Sequence, residues 1–449
     1  MHQMEQDDLK YIWHPFTQMK DWQEGTPLVI ASGNGVMLKD IHGKEYLDGV
    51  SSLWTNVHGH RSKPIDQAIK RQLVKIAHST MLGLSNEPAI ELAKKLVEIT
   101  PPNLQKVFYS DNGSTAMEVA LKMAYQYWQQ VDNRKHKDKR TFVTITEAYH
   151  GDTIGSVSLG GMALFHEIFK PLLFDTLKVP SPFCYRCPLK LKQPDCKTAC
   201  LDKLEDVLNH KAGQLAAVVM EPLVQGAAGM IVHPKGYLSE VRRLCTKYNV
   251  LLVLDEVATG FGRTGAMFAC QQENVEPDLM ALAKGITGGY LPLAVTMTSE
   301  KIFKAFLGKP EEHKTFYHGH TYTGNQLACS AALANLELFS EKNILEKLKP
   351  KILLLSKQLE KFKGLDHVGD VRQCGLMVGI ELVRNKNTQE SYEEKERIGH
   401  KVILAAREQG VIIRPLGDVI VLMPPLVVNN KQLEKLVAVT FEAIKQVTG

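Results

Sequence analysis

The stretch that decides the fold runs from Asn249 to Ala294 and reads NVLLVLDEVATGFGRTGAMFACQQENVEPDLMALAKGITGGYLPLA. Val250 to Leu254 is an unbroken apolar run of β-favouring residues, which predicts a strand buried on both faces of a sheet. Two carboxylates, Asp255 and Glu256, follow it directly. Because an ionised carboxylate is costly to bury without a partner, we expect Asp255 to face a cation, a helix end or a bound cofactor.

A second apolar run, Leu279 to Ala283, ends in Lys284, and glycines follow it closely. A lysine at a buried strand end is suited to a lowered pKa and to Schiff-base chemistry. The pair Asp255 and Lys284 fits pyridoxal phosphate, whose ring nitrogen favours a carboxylate and whose aldehyde reacts with an amine. From these two residues alone, a plain buried salt bridge is an equally good interpretation.

Length and composition predict a soluble globular enzyme. The chain has 449 residues, enough for two or three domains, of which 44% are hydrophobic and 23% charged. The net charge is +5, but the only dense basic run is 134–140, which is typical of a solvated loop or helix end, so we expect no nucleic-acid partner. The N-terminus has no basic and apolar leader, and no apolar stretch approaches the roughly 18 residues of a membrane span. We therefore expect a cytoplasmic protein with no membrane partner.

Half of the eight cysteines are clustered. Cys184, Cys187, Cys196 and Cys200 form a C-x2-C-x8-C-x3-C pattern in a loop rich in proline and lysine. Four thiolates can close a tetrahedral zinc site, so zinc is one interpretation. The other is a surface loop of reduced thiols, which the short, irregular spacing favours because a large core needs no metal to hold it together. We therefore expect no metal.

Strands alternate with helices through the middle of the chain. The predicted elements are strands 106–109, 142–145, 216–220 and 250–254, with helices from Gly113 and over 237–248. This alternation predicts an α/β fold with a largely parallel sheet, whose ligands bind at the carboxyl ends of the strands. We divide the chain into an N-terminal arm (1–65), a large α/β domain (66–329) and a smaller α+β domain (330–449). The last of these has predicted helices at 326–339 and 345–362 and strands at 368–372, 376–382, 411–414 and 419–423.

Other polar clusters fall at the predicted strand ends. Ser110 to Ala116 opens a helix with small hydroxyl residues, which favours an anion site for a phosphate, although an ordinary helix cap has the same pattern. Tyr149 and Asp152 would place an aromatic ring and an acid at the pocket mouth; Tyr149 is equally well interpreted as a core residue. Thr321 could supply a second phosphate contact. Arg414 follows an apolar run and suits a substrate carboxylate, or alternatively a structural ion pair.

Almost the whole chain resembles the class III, fold-type I aminotransferases that use pyridoxal phosphate. Within that class it is similar to the 7,8-diaminononanoate synthase family of biotin biosynthesis. Many class III relatives that act on ornithine or γ-aminobutyrate have glutamine where this chain has Ala258. The stretches that carry the resemblance are WHPFTQMK, VHGHRS, SDNGSTAMEVALKMAYQYW, YHGDTIGSVS, EPLVQGAAGM, DEVATGFGRTG, KGITGGYLPLAV, HGHTYTGNQLACS and RPLGDVIVLMPP.

The resemblance implies a large domain with a mainly parallel seven-stranded sheet and a smaller domain built from both termini. It also implies roles for particular residues. Lys284 would carry the cofactor, Asp255 would bind the ring nitrogen and Tyr149 would stack on the ring. Cofactor phosphate contacts would come from Gly113 and Ser114, and from His320 and Thr321 of the neighbouring subunit of a homodimer. Substrate contacts would come from Gly319, from Asp152 near the amine and from Arg414 at the carboxylate of 8-amino-7-oxononanoate.

The amino donor is predicted from Phe16, Leu53 and Trp54. The relatives that use S-adenosylmethionine carry tyrosine where this chain has Phe16 and tryptophan where it has Leu53, whereas the pattern here resembles the branch that uses L-lysine. Trp54 could rebuild part of an aromatic slot, so S-adenosylmethionine stays the alternative.

The predicted reaction is a transamination in two half-reactions that share one pocket. The nearest alternative is another class III aminotransferase acting on an ω-amino acid or a diamine, which would keep the cofactor residues and change the pocket walls. A catalytically idle binding protein is disfavoured because Lys284 and Asp255 are both present. A nucleotide-binding Rossmann domain is disfavoured because no G-x-G-x-x-G follows the first strand.

Overall fold

A computed structural model of the chain describes residues 1–162 and 167–449. The N-terminal part contains α1 (Gln3–Tyr11), α2 (Met19–Gln23), β1 (Ile30–Asn34), β2 (Met37–Asp40), β3 (Glu45–Asp48), the short turn α3 (Ser51–Trp54), α4 (Lys63–Lys75) and α5 (Glu87–Ile99). The central part contains β4 (Leu104–Ser110), α6 (Gly113–Gln130), β5 (Thr141–Ile145), α7 (Ile154–Leu159), β6 (Leu177–Val179), α8 (Cys200–Lys211), β7 (Leu215–Met220), β8 (Val224–Gln225), β9 (Ile231–Val232), α9 (Tyr237–Lys247), β10 (Leu251–Asp255), β11 (Leu279–Leu282), β12 (Ala294–Ser299) and α10 (Glu300–Ala305). The C-terminal part contains α11 (Gln326–Glu341), α12 (Ile344–Leu359), β13 (Val368–Cys374), β14 (Met377–Leu382), α13 (Ile398–Glu408), β15 (Val411–Ile412), β16 (Arg414–Leu416), β17 (Val419–Leu422) and α14 (Asn430–Thr448).

The central sheet has seven strands in the order β4-β12-β11-β10-β7-β5-β6. All neighbours from β11 to β6 pair in parallel, and β12 runs antiparallel to both β11 and β4. Because β12 runs opposite to both β11 and β4, β4 has the same direction as the parallel strands and ends at the same edge of the sheet. The predicted α/β fold with a mainly parallel seven-stranded sheet is confirmed.

Burial on both faces explains the apolar runs that predicted the inner strands. Every residue of β7, β10, β11 and β12 is buried. Leu251 and Val253 pack with α6 on one face, whereas Leu252 and Leu254 pack with α9 on the other. A strand covered by helices on both sides has no solvent face, so polar residues are excluded until the strand ends.

The two chain termini meet in a smaller sheet. Its order is β1-β2-β3-β15, with β15 parallel to β3, and a further sheet has the order β13-β14-β17-β16. The smaller domain is thus built from both ends of the chain. The division at residues 65 and 329 stays a prediction; α11, which spans the second boundary, packs against α4 and α5.

Two predicted elements need correction. The predicted strand 411–414 is two strands, because the chain leaves one sheet after Ile412 and enters the next at Arg414. The predicted helix 345–362 ends at Leu359, after which the short 3-10 helix Glu360–Gly364 follows. Within the part of the chain that the structure describes, no helix combines the length and apolar character needed to cross a membrane.

Candidate active site

A cavity of about 690 Å³ lies at the carboxyl edge of the seven-stranded sheet. Its walls come from the segments that follow β4, β5, β7, β10 and β11, together with the α3 turn. The volume is in the range of about 300–1,000 Å³ that is usual for small-molecule sites. Residues distant in sequence meet here because neighbouring parallel strands all end at this edge.

Asp255 is the last residue of β10 and is 5% exposed. Its Oδ2 accepts a hydrogen bond from Nδ1 of His150 at 2.8 Å, and its Oδ1 accepts one from the backbone N–H of Val257 at 3.0 Å. A carboxylate can only accept, so the His150 proton must be on Nδ1. Two donors from different segments therefore fix the orientation of the Asp255 carboxylate.

Lys284 follows β11, and Asp255 lies opposite Ala281 in the β10–β11 register. The Nζ atom of Lys284 lies 5.1 Å from the centre of the Trp54 ring. Burial lowers the pKa of the Lys284 amine, against the opposing effects of Asp255 and Glu221. The backbone φ of Lys284 is +46°, a left-handed conformation that costs a lysine of order 1–2 kcal/mol. Strain of this kind often marks functional positions.

Lys284 and Asp255 line the same cavity but are not partners. Among the ion pairs of residues 1–162 and 167–449, Asp255 is joined to His150 and none joins Lys284 to Asp255. The plain buried salt bridge, one of the two interpretations of the sequence, is therefore not the observed arrangement. Both residues instead line one cavity of about 690 Å³.

Glu221 and His150 are site residues to which the sequence reasoning assigned no role. Glu221 follows β7 and is 4% exposed; it accepts hydrogen bonds from the N–H groups of Gly226 at 2.8 Å and Tyr149 at 3.2 Å. Burial raises its pKa to about 7, and Asp255 adds to the effect while His150 opposes it. Glu221 directly follows the apolar run 215–220, just as Asp255 directly follows 250–254. The signal that predicted Asp255 therefore identifies Glu221 equally well. His150 stands beside Tyr149 and has no comparable signal.

The phosphate-site candidates Gly113 and Ser114 begin α6 and line the cavity. Asn112 caps the helix, accepting from the N–H of Thr115 at 3.1 Å, so the ordinary cap is present as well. Ser114 Oγ lies 2.7 Å from Thr153 Oγ1, and a Cβ on Gly151 would lie 2.4 Å from Ser114 Oγ. The start of α6 thus lines the cavity and packs so closely against Gly151 that this position has no room for a side chain.

Tyr149 and Asp152 line the cavity together. The hydroxyl of Tyr149 donates to Oδ2 of Asp152 at 2.9 Å. Burial and this hydrogen bond raise the pKa of Tyr149. Arg414, at the start of β16, is not among the described residues that line the cavity, but it is close enough for Tyr149 to affect its pKa, which burial lowers. These residues form a polar side of the site.

The three donor-pocket candidates are placed differently. Trp54 is buried, with 6% of its surface exposed, and Leu53 is 48% exposed at the cavity wall. Phe16 is 61% exposed and is not among the described residues lining the cavity of its own chain. The structure therefore brings Leu53 and Trp54, but not Phe16, to the cavity.

Gly319, His320 and Thr321 precede α11 and do not line the cavity in the described part of the chain. The nearest approach is made by His320, whose Nδ1 lies 3.5 Å from Oδ2 of Asp111, a cavity residue. Gly319 and Thr321 are exposed. Within one chain these three residues thus lie outside the cavity lining, although His320 approaches Asp111.

The residues of the cavity fit pyridoxal phosphate. Asp255 offers a fixed acceptor, Lys284 offers an amine with no acidic partner within ion-pair distance among the described residues, and Gly113 and Ser114 offer the N-terminus of a long helix to a phosphate.

Comparison with known proteins agrees with this geometry. The aminotransferase class-III family matches residues 18–445. Two curated relatives share the name adenosylmethionine-8-amino-7-oxononanoate aminotransferase. The protein of Geobacter sulfurreducens is 53% identical over 98% of this chain and 97% of its own length. The protein of Aquifex aeolicus is 54% identical over 99% of this chain and 97% of its own length.

Solved structures show the same fold. The crystal structure of adenosylmethionine-8-amino-7-oxononanoate aminotransferase from Methanocaldococcus jannaschii has a TM-score of 0.94 and 48% identity, and 99% of each chain is covered. An omega transaminase from Pseudomonas jessenii, solved in complex with PMP, has a TM-score of 0.94 and 30% identity over 100% of this chain and 98% of its own. The protein is therefore a transaminase with pyridoxal 5'-phosphate as its cofactor, and the chain belongs to the aminotransferase class-III family.

Proposed function

We propose that this enzyme transfers an amino group to the C7 ketone of 8-amino-7-oxononanoate and so forms 7,8-diaminononanoate for biotin biosynthesis. The observation that carries the proposal is the sequence identity to the Geobacter and Aquifex proteins, which are named for this substrate. The identity is above 50% in both cases and extends over almost the whole chain. The polar side of the cavity agrees with a substrate that has an amine and a ketone at one end and a carboxylate at the other.

We assign the two ends of the substrate to different residues. The Asp152 carboxylate, held by the Tyr149 hydroxyl at 2.9 Å, would attract the substrate ammonium group. Arg414 would bind the distant carboxylate through two parallel hydrogen bonds. The burial that lowers the Arg414 pKa also strengthens its interaction with a carboxylate, because little water competes there.

When bound, pyridoxal phosphate supplies a conjugated ring that accepts the electron pair left behind when a proton leaves the donor carbon. Asp255, oriented by His150 and Val257, would hold a proton on the ring nitrogen. Gly113 and Ser114 would bind the phosphate. Lys284 would carry the cofactor and then, as a free amine, move the proton at the donor carbon, which its lowered pKa favours. Nζ of Lys284 lies over the Trp54 ring, 5.1 Å from its centre.

The assignment of Lys284 has a direct chemical test. We expect borohydride to fix the cofactor covalently on Lys284, and peptide mapping to find it there. Lys284→Ala should abolish turnover and leave the circular dichroism spectrum unchanged. The control is Lys301→Ala, which removes a lysine outside the cavity. Lys139 is not used for this purpose because it is buried. An adduct on another lysine would refute the assignment.

We propose L-lysine as the amino donor. Leu53 at the cavity wall offers less stacking surface than a tryptophan would, and lysine, a slim chain, needs no broad aromatic slot. The alternative, S-adenosylmethionine, is favoured by the names of the Geobacter and Aquifex proteins. Steady-state assays with 8-amino-7-oxononanoate and each donor would distinguish them, and we expect the higher kcat/KM with L-lysine.

A paired variant sharpens the donor test. Phe16→Tyr combined with Leu53→Trp should shift the kcat/KM ratio towards S-adenosylmethionine, whereas the exposed Leu353→Trp should leave the ratio unchanged. An unaltered enzyme that prefers S-adenosylmethionine would refute the lysine assignment. Turnover of ω-amino acids or diamines but not of 8-amino-7-oxononanoate would instead favour the alternative class III activity.

We further propose a cytoplasmic homodimer in which His320 and Thr321 of one subunit bind the cofactor phosphate of the other, with Gly319 and Phe16 near the substrate of that shared site. The proposal is supported by the position of these four residues outside the cavity of their own chain.

A further inference from the structure

The α3 turn has a backbone that is unusual for its residues. The φ angles of Ser51, Ser52 and Trp54 are +50°, +60° and +66°. This left-handed conformation is unfavourable for residues that carry a Cβ, and it persists only where the surrounding structure enforces it. Leu53 and Trp54 line the active-site cavity, and the Trp54 ring lies 5.1 Å from Nζ of Lys284. A strained turn therefore carries one wall of the site.

The carboxylate of Asp48 holds this turn. Asp48 is the last residue of β3 and is fully buried. Its Oδ1 accepts a hydrogen bond from the backbone N–H of Val50 at 3.2 Å. The backbone N–H of Ser52 lies within hydrogen-bonding distance of both carboxylate oxygens, at 2.9 and 2.8 Å. Backbone N–H groups converge on one anion in this way when a left-handed residue lies between them, as Ser51 does here. The buried charge thus stabilises the unfavourable backbone.

The ring of His60 fixes the Asp48 carboxylate from outside the turn. Its Nε2 lies 2.9 Å from Oδ2 of Asp48, and because a carboxylate can only accept, the proton must be on Nε2. The backbone of His60 exchanges two hydrogen bonds with Gly35, at 2.7 and 3.0 Å. Gly35 lies between β1 and β2, so the smaller sheet determines where the ring stands.

A second contact holds the start of the turn. The Ser51 hydroxyl donates to the backbone oxygen of Met423 at 2.8 Å, and the N–H of Met423 donates to the oxygen of Gly49 at 2.8 Å. Met423 directly follows β17, so the turn is held between the two smaller sheets. Asp255 and Lys284 come instead from β10 and β11 of the seven-stranded sheet. The cavity wall and the cofactor residues therefore have separate supports.

We propose that Asp48 and His60 are positioning residues of the transaminase, which hold the α3 turn so that Leu53 and Trp54 form the wall of the substrate pocket. Among the described residues that line the cavity, neither Asp48 nor His60 is present, so the pair acts through the turn. A displacement of about 1 Å in such a support can reduce the rate roughly 100-fold. Substrate binding, more than the chemical step, depends on the pair.

The first test is Asp48→Asn. In either orientation of the amide, its NH2 group faces a donor, because backbone N–H groups lie at Oδ1 and both Ser52 and His60 lie at Oδ2. We expect kcat/KM for the amino donor to fall by about tenfold or more, mainly through a higher KM, with kcat changed much less. The cofactor content of the purified holoenzyme should stay unchanged, because other strands carry the cofactor residues.

The chain offers a matched control in Asp40→Asn. Asp40 ends β2, is also buried, and accepts hydrogen bonds from the backbone N–H groups of His42 and Lys44, each at 2.9 Å. It supports the next turn of the same sheet and is not among the described residues that line the cavity. Asp40→Asn should lower the melting temperature but leave KM unchanged. An equal rise in KM in both variants, or an unchanged KM in Asp48→Asn, would overturn the proposal.

A second variant tests the pair itself. The His60 side chain is 12% exposed, so His60→Ala disturbs the core less than a change at the fully buried Asp48. It should raise KM in the same direction by a smaller factor. The combination with Asp48→Asn should raise KM by less than the product of the two factors, because both changes remove the same contact. Factors that multiply fully would show that the two residues act independently and would refute the pair.

A spectroscopic readout removes the dependence on substrate. The kinetic test rests on the proposed function, because it uses 8-amino-7-oxononanoate, and lack of turnover by the unaltered enzyme would count against that function alone. The four tryptophans of the holoenzyme can be replaced with 5-fluorotryptophan and observed by fluorine NMR. The Trp54 resonance, identified by its loss in Trp54→Phe, should shift in Asp48→Asn and stay in place in Asp40→Asn. An unshifted Trp54 resonance in Asp48→Asn would overturn the inference whatever the substrate.

Discussion

At the residue scale, the site depends on a carboxylate whose orientation is fixed before any ligand arrives. His150 donates a hydrogen bond to one oxygen of Asp255, and the backbone N–H of Val257 donates to the other. Among the described residues, Lys284 forms no ion pair with Asp255. A group held by two donors does not have to reorganise when charge develops on a bound ring. His150 is thus a positioning residue, whereas Asp255 is the residue expected to touch the cofactor.

The first prediction concerns Asp255→Asn. An amide does not carry the negative charge that keeps a ring nitrogen protonated, so turnover should fall by roughly 10²–10³-fold or more. Cofactor binding should stay measurable in the visible absorption spectrum. His150→Ala should reduce turnover less, because the carboxylate remains. Near-normal activity of Asp255→Asn with cofactor bound would show that this strand end has been misinterpreted.

The second prediction concerns Glu221 and pH. Its pKa is about 7 in the folded chain against the usual 4.5, so between these pH values the folded state binds more protons than the unfolded state. Stability should therefore fall as the pH rises through this window, by an amount on the order of a few kcal/mol. The measurement is the unfolding free energy of the cofactor-free enzyme from pH 5 to 8.

Glu221→Gln should flatten that pH dependence, and the exposed Glu337→Gln should not. The slope is the informative quantity, because the amide also disturbs the hydrogen bonds from Tyr149 and Gly226 and so changes the absolute stability. Equal slopes in Glu221→Gln and the unaltered protein would contradict the prediction.

At the element scale, the position of α6 is decided by a glycine contact. A Cβ on Gly113 would lie 2.6 Å from Cγ1 of Val257, in the segment that follows β10. A β-branched side chain has few rotamers with which to yield. The close contact therefore sets the distance between the start of α6, where a phosphate would bind, and the end of β10, where Asp255 lies.

The third prediction follows from this contact. Gly113→Ala should push the start of α6 away from Val257, at a cost of about 1–3 kcal/mol in folding stability, and should weaken cofactor binding. The readout is the cofactor Kd of the apoenzyme by absorption titration. Gly213→Ala, whose Cβ would enter open space, is the matched control. An unchanged Kd in Gly113→Ala would mean that α6 does not bind the phosphate.

At the scale of the whole molecule, the site of one chain lacks part of its expected lining. Gly319 and Thr321 are exposed, and several large apolar side chains are exposed elsewhere, including Trp13, Val74, Leu82 and Tyr322. The exposure of Gly319 and Thr321, to which the resemblance assigns contacts with substrate and cofactor, supports the proposed dimer with shared sites.

The fourth prediction tests the sharing of sites by complementation. Lys284→Ala and the double variant His320→Ala with Thr321→Ala should each be strongly impaired. Unfolding the two together and refolding them gives mixed dimers, each with one complete site if the phosphate contacts cross the interface. Random pairing should then restore about a quarter of wild-type activity. No recovery, with mixed dimers shown by mass spectrometry, would place each site within one chain.

The sequence by itself determined five of the seven strands of the central sheet and most of the cavity, whereas β6 and β12 were not predicted. Buried parallel strands must be apolar throughout, so the first charged residue after such a run marks the strand end, and this signal located Asp255 and Lys284. Glu221 carries the same signal. The start of α6 at Gly113 could also be predicted, because helix caps are local in sequence.

Only the tertiary structure decided which of these groups are partners. His150 meets Asp255 across 105 residues, and Lys284 is kept from Asp255 although adjacent strands carry them. The division of 411–414 between two sheets is equally invisible in the sequence. The physical reason is that periodicity reports only the burial of each residue, whereas pairing depends on strand order and on the paths of the loops.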